Sequence, residues 1–99
     1  MFARLVSAQV SVDKLNEGIT IWKEKDMPLT ESVKGYIGAY CLVDRKSGRV
    51  ISLTLWDSEG DAITDEQSEL HRRQVGMYKD LLIGEPTTQR YEVCAQHQI

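Results

Sequence analysis

Four stretches of this chain alternate apolar and polar residues, and two stretches between them repeat apolar residues at helical spacing. Phe2 to Val10 alternates loosely and is rich in Phe, Leu and Val, which predicts a first strand. Val12, Leu15, Ile19 and Trp22 then fall on one face of a helix, with Lys14, Glu17, Glu24 and Lys25 largely elsewhere. Ser11 offers a cap, and Pro28 disfavours helical geometry at Met27, so a first helix is expected from about Val12 to Lys25. Gly35 opens a second strand, Tyr36 to Val43. The polar loop Asp44-Arg-Lys-Ser-Gly48 connects it as a hairpin to a third strand, Arg49 to Trp56.

Two helix starts follow. Ser58 can cap a short turn containing Asp61, and Thr64-Asp-Glu-Gln67 has the spacing of a capping box. The second helix is therefore expected from Thr64 to about Leu82, with Ile63, Gln67, Leu70, Gln74, Met77, Tyr78 and Leu81 on its inner stripe. Gly84 and Pro86 stop it. Gly76 sits inside this helix at a cost of about 1 kcal/mol relative to alanine, which either allows close packing or carries no meaning. Thr88 to Gln96 alternates around Tyr91, Val93 and Ala95, a fourth strand.

The order β-α-β-β-α-β with right-handed crossovers predicts an α+β, ferredoxin-like fold. It is a four-stranded antiparallel sheet in the order 4-1-3-2, with both helices on one face and residues 1–99 as one domain. The face away from the helices should be polar in a monomer, but strand two is apolar or aromatic on both sides. Ile37, Ala39, Cys41 and Val43 are expected on one side, Tyr36, Tyr40 and Leu42 on the other. Each large apolar side chain left wet forgoes roughly 1.5–3 kcal/mol, so a homodimer that covers the sheet is expected.

Charge changes the picture little. The 12 basic and 15 acidic residues are interleaved and leave a net charge of −3, with no basic stripe to mark a nucleic-acid partner. The chain shows no signal-peptide pattern and no apolar stretch long enough to span a bilayer, so no membrane association and a cytoplasmic location are expected. Cys41 and Cys94 stand apart, on opposite edges of the predicted sheet, as two free thiols.

Gly35-Tyr-Ile-Gly-Ala-Tyr-Cys-Leu-Val-Asp, Val50-Ile-Ser-Leu-Thr-Leu-Trp-Asp-Ser-Glu and Arg90-Tyr-Glu-Val together resemble the antibiotic biosynthesis monooxygenase (ABM) domain of the dimeric α+β barrel superfamily. The resemblance covers nearly the whole chain and speaks more to fold than to activity. It implies a dimeric barrel and a ligand cleft between sheet and helices. The family's activities range from cofactor-independent oxygenation of aromatic polyketides to quinol modification and haem degradation. The haem-degrading branch uses a strand-one asparagine and a helix-two histidine. Strand one here has no asparagine, and His71 lies about one turn too early. No bound cofactor and no metal are therefore expected.

The cleft so implied would be lined by Trp22, Tyr36 or Tyr40, Trp56, His71 and Tyr78. Molecular oxygen reacts slowly with closed-shell organics, so a cofactor-free oxygenase must strip a proton, hold the anion and exclude water. His71 is the candidate base, because its unperturbed pKa lies near neutrality. Tyr78, Tyr36 or Trp22 would hydrogen-bond substrate oxygens, and Arg72 or Arg73 would stabilise negative charge if one turned inward. The plainer roles are a structural plug for Trp56, core for Trp22, an edge histidine for His71 and a solvated face for Arg72. The expected activity is that of a small ABM-like monooxygenase of a phenolic, quinol or polyketide-like small molecule. The alternative is a non-catalytic dimeric module that binds such a ligand.

Overall fold

A computed structural model describes residues 1–98. Strands β1 (Phe2–Gln9), β2 (Tyr36–Asp44), β3 (Arg49–Trp56) and β4 (Thr87–Glu92) form one antiparallel sheet in the order β2-β3-β1-β4, as the sequence predicts. The hairpin between β2 and β3 turns on Gly48, whose φ of 82° lies in the left-handed region and whose amide donates to the Asp44 carbonyl at 2.9 Å. A side chain there would also collide with the Val10 carbonyl, so glycine is required twice over.

The first helical segment runs further than Pro28 was expected to allow. A 3₁₀ turn (Val12–Lys14) leads into α1 (Leu15–Ile21), a π-helical turn (Trp22–Asp26) and α2 (Met27–Thr30). The Met27 amide donates to the Trp22 carbonyl five residues back. This wider turn resets the ladder, so Pro28 sits in the first turn of α2, where a missing N–H is harmless.

The second helical segment is two helices, not one. Ser58 caps α3 (Glu59–Glu66) by accepting from the Asp61 amide, and Ser68 caps α4 (Glu69–Gly76) by accepting from the His71 amide, each at 3.1 Å. The expected start at Thr64 is wrong, since Thr64 lies inside α3 and the chain breaks at Ser68 instead. The Ser68 hydroxyl donates back to the Asp65 carbonyl at 2.6 Å, closing α3 as it opens α4. Gly76 is the last residue of α4, and nothing lies within 4 Å of where its Cβ would stand, so it serves no close packing.

A β-bulge in β2 corrects the predicted faces. Tyr36 pairs with Trp56 and Gly38 with Leu55, leaving Ile37 extra. Tyr36 therefore shares the helix-covered face with Ala39, Cys41 and Val43, whereas Gly38, Tyr40 and Leu42 point the other way with Leu55, Leu53 and Ile51. On the covered face a cluster of Val10, Leu15 and Leu81 packs at the end where β1 finishes and β3 begins. Trp56, fully buried, closes the opposite end. The outer face is apolar and open in the single chain, with Tyr40 61%, Leu42 46% and Tyr91 53% exposed.

Candidate functional site

Between the two plugs the sheet and helices line a cavity of about 320 Å³ that opens to solvent. Val6, Ala8 and Val50 floor it from the sheet, Trp22 and Val75 wall it from the helices, and Leu82 walls it from the segment after α4. The size and the mostly apolar lining suit a small organic molecule. The polar groups on its wall sort into two clusters.

The first cluster sits at the π-turn. Asp26 is 6% exposed, and its Oδ2 accepts a very short hydrogen bond from the Tyr78 hydroxyl. Gln74 Nε2 donates to the Asp26 carbonyl at 3.1 Å and to Thr30 Oγ1 at 2.8 Å. Burial pushes the Asp26 carboxyl up to about 6, against the lowering effect of the Tyr78 hydrogen bond and the Arg4 charge. The Tyr78 hydroxyl is pushed far above its ordinary value, by burial first and by its bond to Asp26 second, so it stays a proton donor.

The second cluster is an ion network around Arg4 on the central strand β1. Its guanidinium donates to Asp65 Oδ2 at 3.0 Å and to the Ala62 carbonyl at 3.2 Å, lies 3.7 Å from Glu66, and stacks 5.0 Å from the Trp56 ring centroid. Arg90 on β4 grips Glu66 through two hydrogen bonds, at 2.6 and 2.8 Å. His71 lines the cavity with Nδ1 3.6 Å from Asp65 Oδ2. Burial and the Arg4 charge lower the His71 pKa, outweighing Asp65 and Glu66, so the imidazole is neutral near pH 7. A neutral imidazole beside a carboxylate can accept a proton and be steadied once charged.

The predicted site residues divide accordingly. Trp22, His71 and Tyr78 all line the cavity, and Trp22 Nε1 donates to Ser52 Oγ across it at 2.9 Å. Trp56 and Tyr36 do not line it. They stack edge to face at 5.7 Å behind Arg4, with Trp56 Nε1 donating to Thr54 Oγ1 at 2.8 Å, which makes Trp56 the plug. Tyr40 is on the opposite side of the sheet, parted from Tyr36 by the bulge. Arg72 faces solvent, 2.9 Å from its one-turn neighbour Glu69.

Asp26 and Arg4 escaped the sequence reading although both carry a signal. Leu15, Ile19, Trp22, Asp26 and Thr30 are spaced 4, 3, 4 and 4 apart, so Asp26 is a carboxyl on an apolar helical stripe. Arg4 is a charge in phase with Phe2, Val6 and Ala8 on an interior strand. Among the described residues no group of three or more His, Cys, Asp or Glu side chains converges as a metal site.

An antiparallel ferredoxin-like sheet with a cavity under its helices defines the class, an α+β ferredoxin-like fold. More particularly, this chain has the fold of the antibiotic biosynthesis monooxygenases, as the sequence resemblance implied. A monooxygenase of Streptomyces coelicolor solved with nanaomycin D superposes with a TM-score of 0.83 at 14% identity, covering 99% of this chain and 91% of that one. A putative antibiotic biosynthesis monooxygenase of Deinococcus radiodurans gives 0.77 at 15% identity, covering 100% and 98%. A haem-degrading protein of Mycobacterium tuberculosis, solved with two hemes in its active site, gives 0.77 at 12% identity, covering 99% and 100%. No protein-family model matches the sequence. Uncharacterized proteins from two Mycobacterium tuberculosis strains are 29% identical over 99% of this chain, which spans 43% of their length. No helix among the described residues is long and apolar enough to cross a membrane.

Proposed function

We propose that this chain is a homodimeric, cofactor-independent monooxygenase of the ABM type, acting on a phenolic, quinol or polyketide-like compound. The observation that carries the reading is His71: a half-buried imidazole held neutral on the wall of an apolar cavity, with Asp65 beside one ring nitrogen. The nanaomycin D bound to the S. coelicolor monooxygenase of the same fold supports an aromatic ligand class.

His71 takes the proton of a phenol or of an acidic CH₂ next to a carbonyl. The resulting anion gives one electron to O₂, and the radical pair joins carbon to oxygen as a peroxide. Loss of water from the peroxide leaves a new carbonyl. The balance is R₂CH₂ + O₂ → R₂C=O + H₂O, with all electrons supplied by the substrate. Dimerisation is supported by the outer sheet face, where Tyr40, Leu42, Leu53 and Leu55 form a surface that a second copy would bury.

The test is oxygen uptake with a panel of anthrones, naphthols and hydroquinones, for wild type and His71→Ala. A colourless protein whose uptake falls by about 10²–10⁴-fold in the variant is expected, the usual worth of a positioned base. A second reading, a dimeric binding module without catalysis, is favoured by how many wall groups engage each other, Tyr78 with Asp26 and Gln74 with Thr30. Ligand binding with uptake that never exceeds buffer would select it.

A further inference from the structure

The break at Ser68 brings together two residues that an unbroken helix would hold apart. Asp65 and His71 are six positions apart. A continuous α-helix would set them about 9 Å apart along its axis and about 120° apart around it. Instead the Ser68 hydroxyl donates to the Asp65 carbonyl at 2.6 Å and accepts from the His71 amide at 3.1 Å. Helix α4 therefore starts afresh, and His71 Nδ1 comes to 3.6 Å from Asp65 Oδ2. Arg4 fixes that oxygen from the sheet. Its Nη2 donates to Oδ2 at 3.0 Å, and its Nη1 to the Ala62 carbonyl on the same helix at 3.2 Å. Asp65 is the one carboxylate in ion-pair reach of the imidazole among the described residues. His71 lines the cavity and Asp65 does not, so the ring carries Nδ1 toward the protein interior. The other ring nitrogen, Nε2, hydrogen-bonds to nothing among the described residues. It keeps accessible surface, unlike Asp26 Oδ1 and Asp65 Oδ1, which are buried without a partner.

We propose that Asp65, set in place by the Ser68 break and by Arg4, is the positioning residue of His71: it keeps the imidazole proton on Nδ1 and leaves the Nε2 lone pair for the acidic proton of the ligand. This rests on His71 being the base, as proposed above, and adds which nitrogen acts and what aims it. At 3.6 Å the contact is longer than a hydrogen bond. The carboxylate charge still favours a proton on the nitrogen nearer to it, and such contacts commonly tighten in the ligand complex. The charged groups that act on the ring are Arg4 on β1 and Asp65 and Glu66 on α3. Arg4 opposes the imidazolium and the two carboxylates favour it. Glu66 is shared with Arg90 on β4, which leaves Asp65 as the acid that can steady the ring once Nε2 has taken the proton.

Nitrogen NMR of the whole chain at about pH 8, where His71 is neutral, reads the tautomer of each histidine, and His97→Ala assigns the two signals. Wild-type His71 should carry its proton on Nδ1, whereas a histidine free in water prefers Nε2. Asp65→Asn removes the charge, and Ser68→Ala keeps every charge and removes only the bridge between the two helices. Both should return His71 toward the preference seen in water. Both should also lower kcat for oxygen uptake with anthrone by at least ~10-fold at little change in KM, short of the about 10²–10⁴-fold that a lost base costs. Ser68→Thr keeps the hydroxyl and should restore tautomer and rate. Thermal melts check folding, and if Asp65→Asn does not fold, wild type and the two Ser68 variants decide. A proton on Nε2 in wild type, a tautomer unmoved in the folded variants, or an unchanged kcat where the tautomer has moved overturns the inference and leaves the oxygenase reading standing. The expected tautomers without oxygen uptake by wild type keep Asp65 as the residue that orients His71 and remove the oxygenase.

Discussion

The two faces of the sheet depart from the usual arrangement, since both carry apolar residues and polar groups sit among them on the covered one. An antiparallel sheet with helices on one side commonly presents apolar residues to the helices and polar ones to water. Here the covered face carries Arg4, Ser52, Thr54 and Thr88 around the cavity, and the open face carries Leu5, Ile51, Leu53, Leu55, Tyr40 and Leu42. The contrast separates two demands. Under the helices, burial is traded for a chamber with polar groups in it. On the open face, apolar area stays exposed in the single chain.

The sharpest way to break the comparison is to charge the open face. Leu53→Asp should dissociate the proposed dimer and halve the mass seen by light scattering at micromolar concentration. The cost is several kcal/mol, since each covered side chain contributes roughly 1.5–3 kcal/mol. A wild type that is already a stable monomer would remove the dimer from the proposal.

Next comes the covered face. Arg4→Ala leaves Asp65 and Glu66 opposed by fewer charges beneath α3, and should lower unfolding free energy by about 3–5 kcal/mol in urea titrations. A loss near zero would mean the network is better solvated than its burial implies.

Asp26→Asn should move stability the other way. The folded carboxyl is raised from 3.8 to about 6, so its contribution is most favourable below pH 3.8 and is lost as pH rises through 6. Removing the charge should stabilise the protein at pH 8 by on the order of 2 kcal/mol, with the gain fading toward pH 4, in melts recorded across that range. A gain independent of pH would point to packing rather than ionisation. The smallest effect belongs to Arg72→Ala. Its guanidinium is solvated beside Glu69, so stability should change by less than about 0.5 kcal/mol and ligand binding not at all.

The strands were legible because each hydrophobic run has the period of a strand and is bounded by a turn residue. The β2–β3 hairpin needed only Gly48 and the alternation on either side. Trp22, His71 and Tyr78 were legible as cavity residues because they share helical stripes with apolar neighbours. Tyr36 and Tyr40 read as sharing one face, but one extra residue, Ile37, inverts the parity of Tyr36 before it and parts the two rings, and no side-chain pattern records a bulge. Asp26 was missed because Pro28 read as an end, whereas the π-turn lets the helix continue to Thr30. The split at Ser68 was missed because Thr64 offered an equally good cap four residues earlier.

Local order was determined by the sequence alone: four strands, two helical segments, the hairpin and the crossover hands, hence the sheet order. Those features depend on period, capping and chirality, which act over a few residues. The tertiary structure alone decided which polar atoms meet in the cavity and which remain without partners. Tyr78 reaches Asp26 across 52 positions and Arg4 reaches Asp65 across 61, so each pairing exists only once the helices are laid on the sheet. A buried acceptor is an orphan only by virtue of everything that failed to reach it, and that is a property of packing.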